Sequence, residues 1–316
     1  MKPFSSVLAV KSFAKLNFYL QILSKRRDNF HNLSTLFCRI DLADTIIFKN
    51  RKDGLIKIKC DSQHVPSDKT NLCWHAADLL KQELKLDFGL NIEIKKRIPV
   101  GAGLGGGSSN AASVLLGLNK YWDLNLSKAR LVSLGAKLGS DVPFFIYNTK
   151  FALGSGRGDK IKPLAPLDKL KLWFILIYPN IKVSTPLIYK EFDCFSELTT
   201  HLVRIRDGKK LNRKQGAGLT KPRCNVNILI SELLREGKKV NAEGLFNDLE
   251  IVTASLYPVV NQVKNMLYSM GLEKIMMSGS GPAVFAICNG HKQAQDLKNK
   301  LVRKYKSWQI FVISTV

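Results

Sequence analysis

Apolar and polar positions alternate through the first sixty residues, the mark of β structure with one face covered. Apolar-rich runs at 7–13 and 16–23 are separated by Ala14-Lys15, and Arg26-Arg27-Asp28-Asn29 ends the pattern. Further strands are predicted at 35–40, 44–49 and 55–60, with turns at Leu42-Ala43-Asp44 and Lys52-Asp53-Gly54. Ile56, Ile58 and Cys60 alternate with Lys57 and Lys59, as in a half-exposed strand. At Asn71 the period changes. Leu72, Ala76, Leu79, Leu80 and Leu84 share one face of a helix that ends near residue 86. Residues 90–96 alternate again, a helix is predicted over 109–121, and Ser127 is placed to cap a helix ending near 138.

The second half has the same mixture. A strand at 150–153 is followed by the turn Gly154-Ser155-Gly156-Arg157-Gly158, and Pro163 and Pro166 flank a boundary. The expected organisation is therefore two units, 1–165 and 166–316. Strands are predicted at 171–178, 274–277, 283–288 and 308–313, and helices at 186–192, 247–257, 259–270 and 291–305. Residues 199–226 show no period and read as a long surface insertion. The sum is an α+β chain without an internal repeat.

Size and composition narrow the class. At 316 residues the chain can bury a real core, and 45% hydrophobic with 23% charged residues is ordinary for a globular protein. No apolar run has the length of a membrane span, and the N-terminal segment carries Lys11 and Lys15 where a leader would be apolar. A cytoplasmic chain is expected, since the six scattered cysteines show no metal-knuckle spacing and no disulfide framework. The net charge of +24 admits nucleic acid, anionic lipid or an anionic substrate. Lysines are spread along the chain, and the one dense cluster, 204–213, lacks interleaved aromatics for base stacking. A specific nucleic-acid partner is not expected. The sequence does not choose between a monomer and a homodimer.

The strongest chemical signal is the run Pro99-Val100-Gly101-Ala102-Gly103-Leu104-Gly105-Gly106-Gly107-Ser108-Ser109, which leads into the helix at Asn110-Ala111-Ala112. Glycines let a backbone approach a ligand closely, and a helix N-terminus offers unpaired N–H groups and the positive end of its dipole. Together they make a seat for phosphate. The familiar versions of that seat do not fit. Gly101, Gly103 and Gly106 satisfy G-x-G-x-x-G, but no acidic residue closes a following strand as a dinucleotide fold requires. No lysine follows Gly107 as in a Walker A loop, and the H-R-D and D-F-G signatures of protein kinases are missing.

Two further features could serve phosphoryl transfer, which needs a positive group, a partner for the attacking hydroxyl and usually Mg2+. Lys15 and Asn17 interrupt an apolar strand two residues apart, so they project to the same side. That spacing serves equally an edge lysine that blocks aggregation. Asp141 lies in a turn before Val142-Pro143-Phe144-Phe145, where a carboxylate is partly desolvated and a nearby lysine would favour its charged form. A plain turn aspartate fits the same position. His31 taken alone reads as a structural histidine.

Four separated motifs occur in a fixed order: Ala14-Lys15-Leu16-Asn17, the glycine run from Pro99 to Ala112, Gly139-Ser140-Asp141-Val142-Pro143-Phe144, and Met277-Ser278-Gly279-Ser280-Gly281-Pro282-Ala283. The set resembles the galactokinase, homoserine kinase, mevalonate kinase and phosphomevalonate kinase (GHMP) superfamily. With Phe30-His31-Asn32-Leu33 it is similar to the branch that acts on a cytidyl diphosphate sugar alcohol in non-mevalonate isoprenoid synthesis. The resemblance implies a two-domain GHMP kinase fold with the site in the cleft between domains. It implies ATP as co-substrate, held by residues 99–109 with Asn71 and Leu72 near the adenine. Asp141 would be the general base, with Lys15 beside it. Asn17 would hold the sugar alcohol, while Gly279 and Ser280 would close over the acceptor phosphates. Phe30 and His31 would receive the cytosine, opposite a wall of Thr185 and Tyr189. Mg2+ is expected, carried by phosphates and water with the Ser108 or Ser109 hydroxyl rather than by a protein metal site. The family often has tyrosine at position 30, where this chain has Phe30. Two other readings remain: a GHMP kinase for mevalonate or homoserine, which needs no cytosine wall, and a nucleic-acid-binding protein without turnover.

Overall fold

Two long antiparallel strands, β1 (Val7–Lys25) and β2 (His31–Arg51), form the spine of a seven-stranded sheet. The computed structural model describes residues 7–87, 89–207, 225–236 and 244–316. Where two strands each were predicted, one continuous strand runs, and the apparent breaks are bulges. The register shifts between Phe13 and Ala14, and again between Asn17 and Tyr19. The expected turn Leu42-Ala43-Asp44 is strand, and so is Asp41 before it. Asp41 and Leu42 are the extra residues opposite the first shift, and Asp41 Oδ1 and Oδ2 accept from Ser314 N (2.8 Å) and Ser314 Oγ (2.6 Å) of the last strand. A bulge keeps the strand continuous while turning side chains through the local twist, and the Lys15–Asn17 segment lies between two of them.

β3 (Ile56–Cys60) and β4 (Gly89–Lys95) extend the sheet beside the far end of β2, while β5 (Phe151–Ser155) and β6 (Lys160–Pro163) extend it beside the near end. Four helices, α1 (Leu72–Leu84), α2 (Gly106–Tyr121), α3 (Lys128–Leu138) and α4 (Val142–Tyr147), share a core with one face of this sheet. α2 begins at Gly106 and not at Ser109. Glycine is a poor helix former, so the periodic pattern shows only the later turns.

The second sheet has the order β11 (Gln309–Ser314), β7 (Trp173–Tyr178), β10 (Val284–Cys288), β9 (Ile275–Met277), all antiparallel. Its outer face packs with α5 (Thr185–Asp207), α7 (Asp248–Leu256), α8 (Val259–Ser269) and α9 (His291–Lys304). β7 is buried on both faces, with Phe174 and Leu176 in one core and Ile175 and Ile177 in the other. That explains its unbroken apolar run. Four elements were not read from the sequence, α4 among them. β6 is a short polar strand. α6 (Val226–Glu236) buries Val226, Leu229 and Leu233 at helical spacing. β8 (Phe246–Asn247) is only two residues long, and it joins the first sheet beside Tyr19 and Leu20. α5 runs on to Asp207, through the start of the segment read as an aperiodic insertion; residues 208–224, with the rest of the basic cluster, lie outside the described residues. Among the described residues no helix is long and apolar enough to cross a membrane.

The two sheets meet through aromatic contacts. Phe18, the unpaired residue of the second bulge, packs on Phe151 of its own sheet and on Phe174 and Phe285 of the other, at 5.9, 5.8 and 5.7 Å between ring centroids. Phe18→Ala should therefore cost about 3–5 kcal/mol of stability, measured by chemical denaturation, because the cavity would open between two rigid sheets.

Candidate active site

The glycine-rich segment from Val100 to Leu104 is held from outside. Tyr178 Oη donates to Val100 O (3.1 Å), Val183 N to Gly101 O (3.3 Å) and Ala283 N to Ala102 O (3.3 Å). Ser278 Oγ donates to Gly103 O (3.1 Å), and Lys15 N to Leu104 O (3.1 Å). Successive carbonyls are thus taken by separate parts of the fold. Among the described residues the amides of 100–105 donate to no backbone or side-chain acceptor. The first amides of α2 follow directly, behind a Gly105 cap that makes no side-chain bond. Unpaired N–H groups of this kind, at a helix N-terminus, form an anion seat. Gly103 is required by contact as well as conformation. Its φ is +76°, and a Cβ would stand 2.0 Å from Ser278 O.

This loop forms one side of a cleft of about 940 Å3 that also contains Lys15, Asn17 and Asp141. Lys15 is not an edge residue. It sits inside the sheet, its side chain 5% exposed, with Nζ donating to Asn17 Oδ1 (2.6 Å) and lying 3.5 Å from Asp141 Oδ2. Asn17 Nδ2 donates in turn to Thr35 Oγ1 (2.8 Å), so both ends of the Asn17 amide are engaged in holding the lysine. Asp141 is the N-cap residue of α4 but makes no capping bond, and its side chain is 30% exposed. Phe144, one turn on, stacks on Phe37 at 4.9 Å, and Lys15 Nζ lies 5.6 Å from the same Phe37 ring. Gly279 comes so close that a Cβ would lie 3.3 Å from both Lys15 Nζ and Asn17 Oδ1. Ser280 Oγ and Thr185 Oγ1, 2.7 Å apart, tie this second glycine turn to the start of α5.

At the other end of the cleft the rings gather. Phe30 is half exposed, with the Arg157 guanidinium 4.9 Å from its centroid. His31 stacks on Tyr189 at 5.2 Å and 26°, so the two rings touch as one wall rather than standing on opposite sides of the cleft. Burial and the charges of Asp141 and Asp248 push the Tyr189 phenol well above its ordinary range. His31 Nε2 lies 2.7 Å from Asp193 Oδ1. Lys25 Nζ lies 2.7 Å from Asp193 Oδ2, and that carboxylate raises the lysine pKa.

The residues predicted for the site line this one cleft, with one exception. Ser109 stands behind the loop: its hydroxyl donates to Phe13 O (2.6 Å) and meets Ser12 Oγ (2.7 Å), and its amide closes the first turn of α2. It fixes the helix to β1 and leaves the cleft to Ser108. Asn71 and Leu72 reach the cleft, yet the Asn71 side chain is occupied in capping α1 through Cys73 N (2.8 Å). Sequence reasoning missed Asp44 and Lys96. Asp44 is fully buried and accepts from Lys96 Nζ, Arg97 N (2.7 Å) and Ile98 N (2.9 Å), which sets the path into the glycine loop. A carboxylate inside an apolar strand was the available signal. Lys25, Lys96, Arg157, Lys190 and Asp193 also line the cleft.

The fold and loop are those of one kinase superfamily. Residues 71–149 match the GHMP kinases N terminal domain and residues 229–307 the GHMP kinases C terminal. The 4-diphosphocytidyl-2-C-methyl-D-erythritol kinase of Syntrophus aciditrophicus is 37% identical over 310 residues, covering 98% of this chain and 100% of that protein. Its counterpart in Enterococcus faecalis is 35% identical, covering 91% and 92%. A crystal structure of 4-(cytidine 5'-diphospho)-2C-methyl-D-erythritol kinase superposes with a TM-score of 0.73 at 27% identity, over 98% of this chain and 100% of that one. The mevalonate kinase of L. major shares the fold, with a TM-score of 0.70 at 15% identity, over 99% and 98%. The chain belongs to the GHMP kinases and, within them, to the 4-diphosphocytidyl-2-C-methyl-D-erythritol kinase family.

Two measurements probe this geometry. Gly103→Ala should abolish binding of a non-hydrolysable ATP analogue and lower the melting temperature, since the clash is with backbone and has no flexible partner to yield. Asp248, at the start of α7, is buried. Its Oδ2 accepts from Ile22 N (2.7 Å), while Oδ1 has no partner. Burial pushes its pKa up from 3.8 to about 7. A carboxyl raised on folding adds stability that is full below its unfolded pKa and is lost as pH rises through the folded one. The stability of Asp248→Asn relative to the parent should therefore improve between pH 5 and pH 8, read by urea denaturation at both.

Proposed function

We infer that this chain transfers the terminal phosphoryl group of ATP to the 2-hydroxyl of 4-diphosphocytidyl-2-C-methyl-D-erythritol, in non-mevalonate isoprenoid precursor synthesis. The observation that carries the reading is the unpaired amide row of the glycine loop, lying in one cleft with the Lys15–Asp141 pair. Membership of a kinase family named for that acceptor supports it.

In this reading the loop amides and the N-terminus of α2 hold the triphosphate. Asp141, with its side chain partly open to the cleft, accepts the proton of the attacking hydroxyl. The new O–P bond forms as the bond from phosphorus to the bridging oxygen breaks, and that electron pair leaves with ADP. Lys15, anchored on Asn17, presents its ammonium beside the carboxylate and the reacting oxygens. Lys15, Lys25, Lys96, Arg157 and Lys190 set five cations against Asp28, Asp141 and Asp193 around the cleft, which suits two polyanionic substrates. Phe30, His31 and Tyr189 supply the ring surface that a cytosine needs. Ser280 and Thr185 close the acceptor side.

Mg2+ belongs to the proposal. Among the described residues no group of three or more His, Cys, Asp and Glu converges to hold a metal. Triphosphate oxygens and water would hold the ion, with the Ser108 hydroxyl as a protein donor. It would supply charge neutralisation on the phosphates. A division of the chain near residue 165 agrees with strands β1–β6 in one sheet and β7, β9, β10 and β11 in the other, with β8 crossing back. All the site residues come from one chain, so monomer and homodimer serve equally. A cytoplasmic location fits the unpaired thiols of Cys38, Cys60, Cys73, Cys194 and Cys288.

The rival within the same fold is phosphorylation of a small alcohol without a base. ADP release coupled to the cytidyl acceptor, mevalonate and homoserine in parallel should show turnover with the first alone. Asp141→Asn should lower that turnover by at least about a hundredfold, while ATP-analogue affinity stays within about threefold. Retained turnover in the variant removes the base role.

A further inference from the structure

The ring wall of the cleft is held by a carboxylate that the mechanism above does not use. Lys25 and His31 face each other as the last paired residues of β1 and β2, and both reach across to Asp193 on α5. An ionised carboxylate offers only acceptor sites. The Lys25 ammonium occupies Oδ2 at 2.7 Å, and His31 Nε2 stands 2.7 Å from Oδ1. The second contact is a hydrogen bond only if the imidazole proton is on Nε2. In the neutral ring Nδ1 then carries a lone pair.

The ring cannot easily turn to change this. It is stacked on Tyr189 and meets Phe192 edge-on at 6.4 Å and 88°. Among the described residues no side-chain hydrogen bond engages Nδ1. Among the described residues the fully buried side-chain polar atoms without a partner are Glu232 Oε2 and Asp248 Oδ1, so Nδ1 is not sealed off, and His31 lines the cleft.

We propose that Asp193, braced by Lys25, is a specificity-determining positioning residue: it fixes His31 as a hydrogen-bond acceptor toward the cleft and so selects an aminopyrimidine over an oxopyrimidine. The exocyclic amine of cytosine donates to such a nitrogen. The O4 carbonyl of uracil has only lone pairs to set against it, and the pair goes unsatisfied. This inference rests on the reading that the acceptor carries a pyrimidine.

The substitution Asp193→Asn tests it sharply. Lys25 still demands an acceptor and takes the amide oxygen, which turns the amide N–H groups toward His31. Nε2 must then accept, and the proton moves to Nδ1. At pH 8, nitrogen-15 spectra of histidine-labelled protein should show His31 protonated on Nε2 in the parent and on Nδ1 in Asp193→Asn, and the dispersion of the same spectra reports that the variant is folded. With the cytidyl acceptor and its uridyl counterpart, the parent should prefer cytidyl in kcat/KM by at least about tenfold. Asp193→Asn should lose that preference through the acceptor KM, with kcat and the ATP KM within about twofold, and Asp193→Glu should restore it. The proposal is overturned if the parent ring is protonated on Nδ1, if Asp193→Asn keeps the parent tautomer, or if the tautomer changes and the preference does not. A parent that turns over neither acceptor overturns the functional reading and the base selection with it, and the spectra decide the tautomer separately.

Discussion

A phosphate seat built from main-chain amides works only if the carbonyls of the same peptides are engaged elsewhere. Here the carbonyls from Val100 to Leu104 are each bonded by a different part of the molecule: the end of β7, the segment after it, the residue before β10, the turn after β9, and β1. Each bond alone contributes about 1 kcal/mol. Their combined effect is orientation. With the oxygens drawn away, the amides of a flexible glycine run are left unpaired in a cleft, at the N-terminus of α2. The loop's shape is therefore a property of both sheets.

The same constraint places the reacting groups. Lys15 contributes its backbone amide to the loop and its side chain to Asp141, so the phosphate seat and the charged pair are joined through one residue. The bulges on either side of it let β1 stay paired with β2 while the segment between them serves the cleft and Phe18 fills the space between the sheets. Gly279 comes close enough to touch both Lys15 and Asn17, which brings the second glycine turn to the same spot. Asn247 holds that turn through Met277 O and Gly279 O, both at 2.8 Å. Across the cleft, the Lys25–Asp193–His31 cluster again links the first sheet to α5. Contacts between the halves recur wherever the site needs fixed geometry.

Much of the cleft was legible because its chemistry is carried by short, local motifs. The glycine run, Lys15 with Asn17, and Asp141 before Val142-Pro143 each state a residue type at a spacing, and each lies in the cleft. Ser109 shows the limit of that reading. It is adjacent to Ser108 in sequence, but the helical turn sends its hydroxyl to β1. Asp44 and Asp193 were invisible for a related reason. Their roles depend on partners more than fifty and more than a hundred residues away, and no local pattern records such a pairing. The unbroken course of β1 and β2 was hidden too, because a bulge interrupts the alternation of side chains without ending the strand.

By itself the sequence determined the periodic elements, the run of free amides that a glycine-rich helix start provides, and the set of motifs shared with one kinase superfamily. These depend on neighbours within a turn or two of chain. Only the tertiary structure decided which way the loop's amides face, that Lys15 is buried against Asp141 rather than guarding an edge, and that His31 Nε2 meets the Asp193 carboxylate. Each of those outcomes is a long-range contact across two sheets, and such a contact has no periodic trace in the chain.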